Sequence, residues 1–75
     1  MAELHLIGRN VRRLRKGLGF TQEELGRKAH ADGRQVRRVE AGENFKVDFL
    51  LRLTEALKVD VNELLRAAKE NSSAP

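Results

Sequence analysis

Apolar residues at Leu4, Ile7, Val11 and Leu14 recur at i, i+3, i+7 and i+10, one stripe of an amphipathic helix. Arg9, Arg12, Arg13 and Lys16 cover its other sides, and Gly17-Leu18-Gly19 stops it, one glycine supplying a left-handed cap. Leu18 and Phe20 read as core plugs between this helix and the next. Thr21-Gln22-Glu23-Glu24 is a capping box: the Thr21 hydroxyl takes the amide of Glu24, and the Glu24 carboxylate reaches back to the amide of Thr21. Leu25 and Ala29 then give a short second helix its apolar face, and Ala29-His30-Ala31 breaks it. Asp32 starts a third helix as N-cap, with Gln35 in the reciprocal position. Val36 and Val39 turn that helix inward, and Gly42 ends it.

Val47 to Leu57 predicts a fourth helix with Leu50, Leu53 and Leu57 on one stripe. Phe49 and Leu51 fall outside the stripe, as in a helix buried on more than one side. Lys58-Val59 ends it, and Asp60-Val61-Asn62-Glu63 predicts a further capping box. Val61, Leu64, Leu65 and Ala68 form the inner face of a fifth helix, and the polar run 69–75 (KENSSAP) is expected to fray as a flexible tail. The pattern is all-α, with one domain over residues 1–68.

Composition narrows the class. Seventy-five residues allow one small domain, and a chain this short buries only about 60% of its unfolded surface. The sequence contains no cysteine, so it offers no disulfide and no thiolate metal ligand. No apolar run approaches about 18 residues and MAELHL lacks a signal-peptide layout, so a soluble cytoplasmic protein is expected. Residues 1–38 hold ten Lys/Arg against four Asp/Glu, whereas residues 39–75 hold five against seven. One basic half fits a protein laid on a polyanion by one side. No helix pairs the basic stripe with exposed aromatics, which favours nucleic acid over a membrane surface.

The second and third helices, joined by about four residues, make the helix-turn-helix unit. On the third, Arg34, Arg37 and Arg38 lie away from Val36 and Val39. A merely solvated face would mix Glu with Lys. Three guanidinium groups instead offer planar donor forks that match guanine O6/N7 or a phosphate, as a helix entering the major groove requires.

Several segments carry a resemblance to a family. Ile7-Gly8-Arg9, LRKGLGFTQEEL, VRRVEAGEN and LLRLTEALKVDVNELL are similar to the Xre/Cro-type helix-turn-helix family, the DNA-binding domain of phage repressors, over roughly residues 4–68. Thr21 to Leu25 and Glu40-x-Gly42, at the family's spacing, are its most specific pieces. The resemblance implies a compact five-helix, lambda-repressor-like bundle and a homodimeric transcriptional regulator, a repressor, on a palindromic double-stranded operator. It implies that the helix 33–41 reads bases through Arg34 and Arg38, with Arg37 shared between base and backbone. Gln22 would contact a phosphate or the outermost base edge, and Thr21, Lys28, Asn44 and Lys46 would contact phosphates. Arg15 and Glu40 would form a buried structural ion pair. Leu57, Val59 and Val61 are the candidate dimer contact, or else core.

Four positions depart from the family pattern. Gly26 replaces the usual Ala, which suggests very close helix contact. His30 replaces the usual Gly of the turn, a position His tolerates better than bulkier residues. Gly33 replaces the first base-reading side chain, so readout there is in question unless the bare backbone approaches DNA more closely. Asn44-Phe45-Lys46 stands where Pro-Ser often precedes the fourth helix. As a metal ligand His30 has no credible partner, since the other histidine is His5, and no cofactor motif is present. An enzyme is disfavoured by the absence of Cys, Tyr, a nucleophile–base set and a Gly-rich phosphate loop. The alternative function is an antitoxin that binds a toxin and autoregulates its operon.

Overall fold

The computed structural model describes residues 2–66. Among them are five helices: α1 (Ala2–Gly17), α2 (Gln22–Lys28), α3 (Gly33–Glu40), α4 (Val47–Leu57) and α5 (Val61–Leu65). This is the all-α helix-turn-helix bundle. Ala68 and the expected tail 69–75 lie outside the described residues.

The core gathers one stripe from each helix. Ile7 and Val11 come from α1, Leu25 from α2, Val36 and Val39 from α3, Phe49, Leu53 and Leu57 from α4, and Leu64 from α5, with Ala29 closing the turn. Two expectations about α4 change. Phe49 joins Leu53 and Leu57 at i, i+4 and i+8 as its buried stripe, with Leu50 only half-buried, and Leu51 faces outward at 50% exposure. A helix packed on one side buries about a third of its circumference, so Leu51, some 160° from Leu53 at 100° per residue, stays in solvent. Leu18 also proves to be exposed, at 50%, while Phe20 alone packs against the core. On α5, Leu65 is exposed and only Leu64 is buried.

The helix starts follow the chemistry of their caps. Thr21 forms the full box with Glu24. Asp32 accepts from the amide of Gln35 at 3.0 Å, but the Gln35 side chain does not reach back, so only half of that box forms. Asp60 accepts from Asn62 N rather than from the amide three residues on, so the fourth-to-fifth connection is capped without a box.

Four helix ends share one closure. After α1, α2, α3 and α4 the chain turns through a left-handed residue, respectively Gly19, His30, Gly42 and Lys58. In each case the next amide returns to a carbonyl five residues back: Phe20 to Arg15, Ala31 to Gly26, Glu43 to Arg38 and Val59 to Thr54. This closure satisfies carbonyls the helix leaves unpaired. It sets the sharp α2–α3 angle with a histidine at φ 59°, where glycine carries no steric cost.

Asn10, 1% exposed, donates through Nδ2 to Leu64 O at 2.8 Å and Arg66 O at 2.6 Å. A side chain of α1 thereby caps the C-terminal end of α5, and no periodicity in the sequence pointed to it.

Candidate nucleic-acid interface

The recognition surface begins with the packing of α2 on α3. At Gly26 any Cβ would run into the backbone of Asp32 and Gly33, so α2 sits directly on the start of α3. At Gly33 a Cβ would stand 2.7 Å from Glu23 Cγ and 3.0 Å from Glu23 Cα. The direction a side chain would take there is filled by α2. Glycine at position 33 thus has a packing reason internal to the fold.

This contact brings two helix N-termini side by side. Thr21, Gln22, Glu23, Asp32, Gly33, Arg34 and Arg37 line the depression between them. On the other flank of α3, Gln35, Arg38, Asn44, Phe45, Lys46 and Arg52 line a second depression against the start of α4. Arg34, Arg37 and Arg38 are exposed along the ridge between the two. Arg38 Nε is 3.9 Å from Glu43 Oε1, and both side chains are about 60% exposed, a loose pair that leaves the guanidinium free to move.

Behind the ridge lies a buried lock. Arg15 Nε donates to Glu40 Oε2 at 2.6 Å and Nη2 to Glu40 Oε1 at 3.1 Å, while Nη1 donates to the carbonyl of Phe20 at 2.8 Å. The two side chains are 10% and 5% exposed. Gln22 Nε2 adds a bond to Glu40 Oε1 at 3.1 Å. The Glu40 carboxylate thus ties α3 to α1 and α2, and Arg15 extends the tie to the α1–α2 link. Gln22 keeps its second amide hydrogen, and the Thr21 hydroxyl, which accepts from Glu24 N at 3.0 Å, keeps a proton to donate. The backbone at Gly8 abuts the carbonyls of Val39 and Glu40, which brings α1 onto the end of α3.

Among the sequence candidates, Thr21, Gln22, Gly33, Arg34, Arg37, Arg38, Asn44 and Lys46 come together on the two flanks of α3. Lys28 does not. It sits in the last turn of α2 with Nζ 5.0 Å from the centre of the Phe20 ring, a cation–π contact away from both depressions. Leu57 requires a correction: it is 2% exposed in the core and unavailable to a partner, while Val59 and Val61 are half-buried. Large apolar side chains that remain open among the described residues are Leu18, Val47, Leu51 and Leu65.

Arg52 is the residue sequence reasoning missed. Its Nε donates to the carbonyl of Ala29 at 2.9 Å and its Nη1 pairs with Asp48 at 3.1 Å, strapping α4 to the end of α2. The Asp48–Arg52 spacing of i, i+4 was its one visible signal. Among the described residues no three His, Asp or Glu side chains are grouped to hold a metal ion, and no helix is long and apolar enough to cross a membrane.

The comparisons agree with this geometry. The helix-turn-helix domain family matches residues 6–68. A crystal structure of the restriction-modification controller protein C.AhdI from Aeromonas hydrophila is similar at 34% identity and a TM-score of 0.81, over 85% of this chain and 98% of that one. A hypothetical transcription factor, NHTF, from Neisseria is similar at 27% identity and a TM-score of 0.87, over 97% of this chain and 85% of that one. Among curated proteins none matches. With its two capped helices, its closed turn and the family match over most of its length, the chain belongs to the Xre/Cro-type helix-turn-helix family, whose fold is that of DNA-binding transcription regulators rather than enzymes.

Proposed function

We infer that the chain is a sequence-specific repressor that inserts α3 into the major groove as one half of a homodimer. The observation that carries this reading is the ridge of Arg34, Arg37 and Arg38, exposed between two depressions and backed by the Arg15–Glu40–Gln22 lock. Base contacts need a reader held in fixed register, and a helix tied to α1 and α2 through one buried carboxylate meets that need. Arg34 and Arg38 read bases, and Arg37 serves base and backbone. Thr21 and Gln22 meet a phosphate at the start of α2, Asn44 and Lys46 meet one in the loop beyond α3, and Lys28 makes at most a peripheral phosphate contact. Two half-sites about 10 base pairs apart would match a two-fold dimer.

The resemblance to a restriction-modification controller favours a regulator of a restriction-modification operon over the antitoxin reading, because the similarity spans 98% of that controller. Selection of bound duplexes from a random pool, followed by footprinting, tests the proposal. The expected result is an imperfect palindrome protected over both half-sites. Enrichment of no sequence above the starting pool would contradict it.

A further inference from the structure

The first helix carries a second basic surface. Arg9, Arg12, Arg13 and Lys16 stand at i, i+3, i+4 and i+7 of α1, are all exposed, and share one shallow depression. Like charges at these spacings repel and oppose the helix they sit on. Three arginines outside α1 have a carboxylate beside them, Arg52 with Asp48, Arg66 with Glu63 and Arg38 near Glu43, whereas Arg34 and Arg37 on the α3 ridge have none among the described residues. On α1 the one acid is Glu3, in the first turn, and no carboxylate among the described residues pairs with any of the four. Arg13 makes only a long 3.4 Å bond to Asn10 Oδ1. A concentrated, uncompensated run of this kind is suited to a polyanion.

This surface is separate from the ridge on α3. Through Gly8 and Arg15, α1 faces the C-terminal end of α3, and through Asn10 it faces α5. The basic run occupies the side left over, turned away from the core that α1 shares with α3. The ridge on α3 also points away from that core, and no residue of α1 lines either depression that flanks it. Arg9 to Lys16 spans about 10 Å of helix, long enough to face more than one phosphate of a strand. An acidic protein partner would need an apolar anchor within the patch. Leu18, beyond the end of α1, is the one large apolar residue exposed near it, and it lies outside the run.

Resting on the reading of α3 as the DNA-binding helix, we propose that α1 is a second phosphate-backbone site, which holds another duplex segment so that the protein bridges two stretches of DNA. The site reads charge and spacing, not sequence.

The test uses the whole chain, an immobilised duplex carrying a site selected by the protein, and a labelled duplex of unrelated sequence at low salt. The wild type is expected to capture the labelled duplex. Arg9→Gln/Arg12→Gln/Lys16→Gln, which leaves the bond of Arg13 intact, is expected to capture about tenfold less while binding the immobilised site within about threefold of wild type. Retained binding to that site, together with unchanged helical circular dichroism, shows that the variant folds. Equal capture by the variant, or a wild type that binds its site and captures nothing, overturns the second site and leaves the α3 reading standing. A wild type that binds neither duplex overturns both. Preference of the wild type's α1 surface for poly-glutamate over the second duplex assigns the run to an acidic protein and overturns the proposal.

Discussion

Arg38 stands in the last turn of α3 with its side chain 59% exposed, and Lys46 lies beyond it, as the N-cap of α4 with no capping bond of its own. The two cations flank the same depression, and the proposed function gives them different work. Arg38→Ala is expected to cost about 1–3 kcal/mol on the selected site and to relax preference at one base pair. Lys46→Ala is expected to weaken all duplexes alike and to reduce the salt slope by about one unit. Titration of both variants against selected and random duplex checks this, and equal losses on the two duplexes for Arg38→Ala would contradict its role. His30 gives a stability prediction at the same scale. A histidine held at φ 59° carries a left-handed cost of about 1–2 kcal/mol that glycine avoids, against a glycine entropy penalty of about 0.5–1 kcal/mol. His30→Gly should therefore stabilise the fold by up to about 1 kcal/mol in urea unfolding. A loss of stability would mean that the imidazole makes a compensating contact.

Between elements, the decisive connection is Glu40 with Arg15. Both are charged, both are nearly out of water, and their bidentate geometry offsets the desolvation. Arg15→Met or Glu40→Gln alone should cost about 3–5 kcal/mol, and the double change less than the sum. A double-mutant cycle by denaturant unfolding checks the coupling, and a coupling near zero would contradict the pair. At this scale the sequence was most legible. Helix starts followed from Thr21 and Asp32, and the register of Arg15 with Glu40 followed from the family resemblance. Residues with two possible partners were less legible. Leu18 and Leu51 are apolar yet exposed, because periodicity gives a helix face but not which face a third helix covers. Asn10 and Arg52 act on carbonyls 54 and 23 residues away in the chain, a relation that local pattern does not carry. The steric reason for Gly33 likewise appears only once Glu23 is beside it.

For the whole molecule, the fold leaves Val47, Leu51 and Leu65 in solvent while drawing Leu57 into the core. In the homodimer proposed above, contacts around α5 would therefore fall to the exposed Leu65, with support from the half-buried Val59 and Val61. Leu65→Glu is expected to shift sedimentation toward monomer without unfolding the chain, whereas Leu57→Ala should destabilise the fold by about 2–5 kcal/mol. Sedimentation velocity with thermal unfolding separates the two effects, and an unchanged dimer for Leu65→Glu would move the interface elsewhere. The central claim is that α3 reads the major groove through its arginine ridge, and methylation interference on a selected site tests it most directly. Methylation of guanine N7, which projects into the major groove, should block binding at positions in two half-sites about 10 base pairs apart, while methylation of adenine N3 in the minor groove should not. Interference confined to adenine N3, or absent from every guanine of the site, would contradict the account.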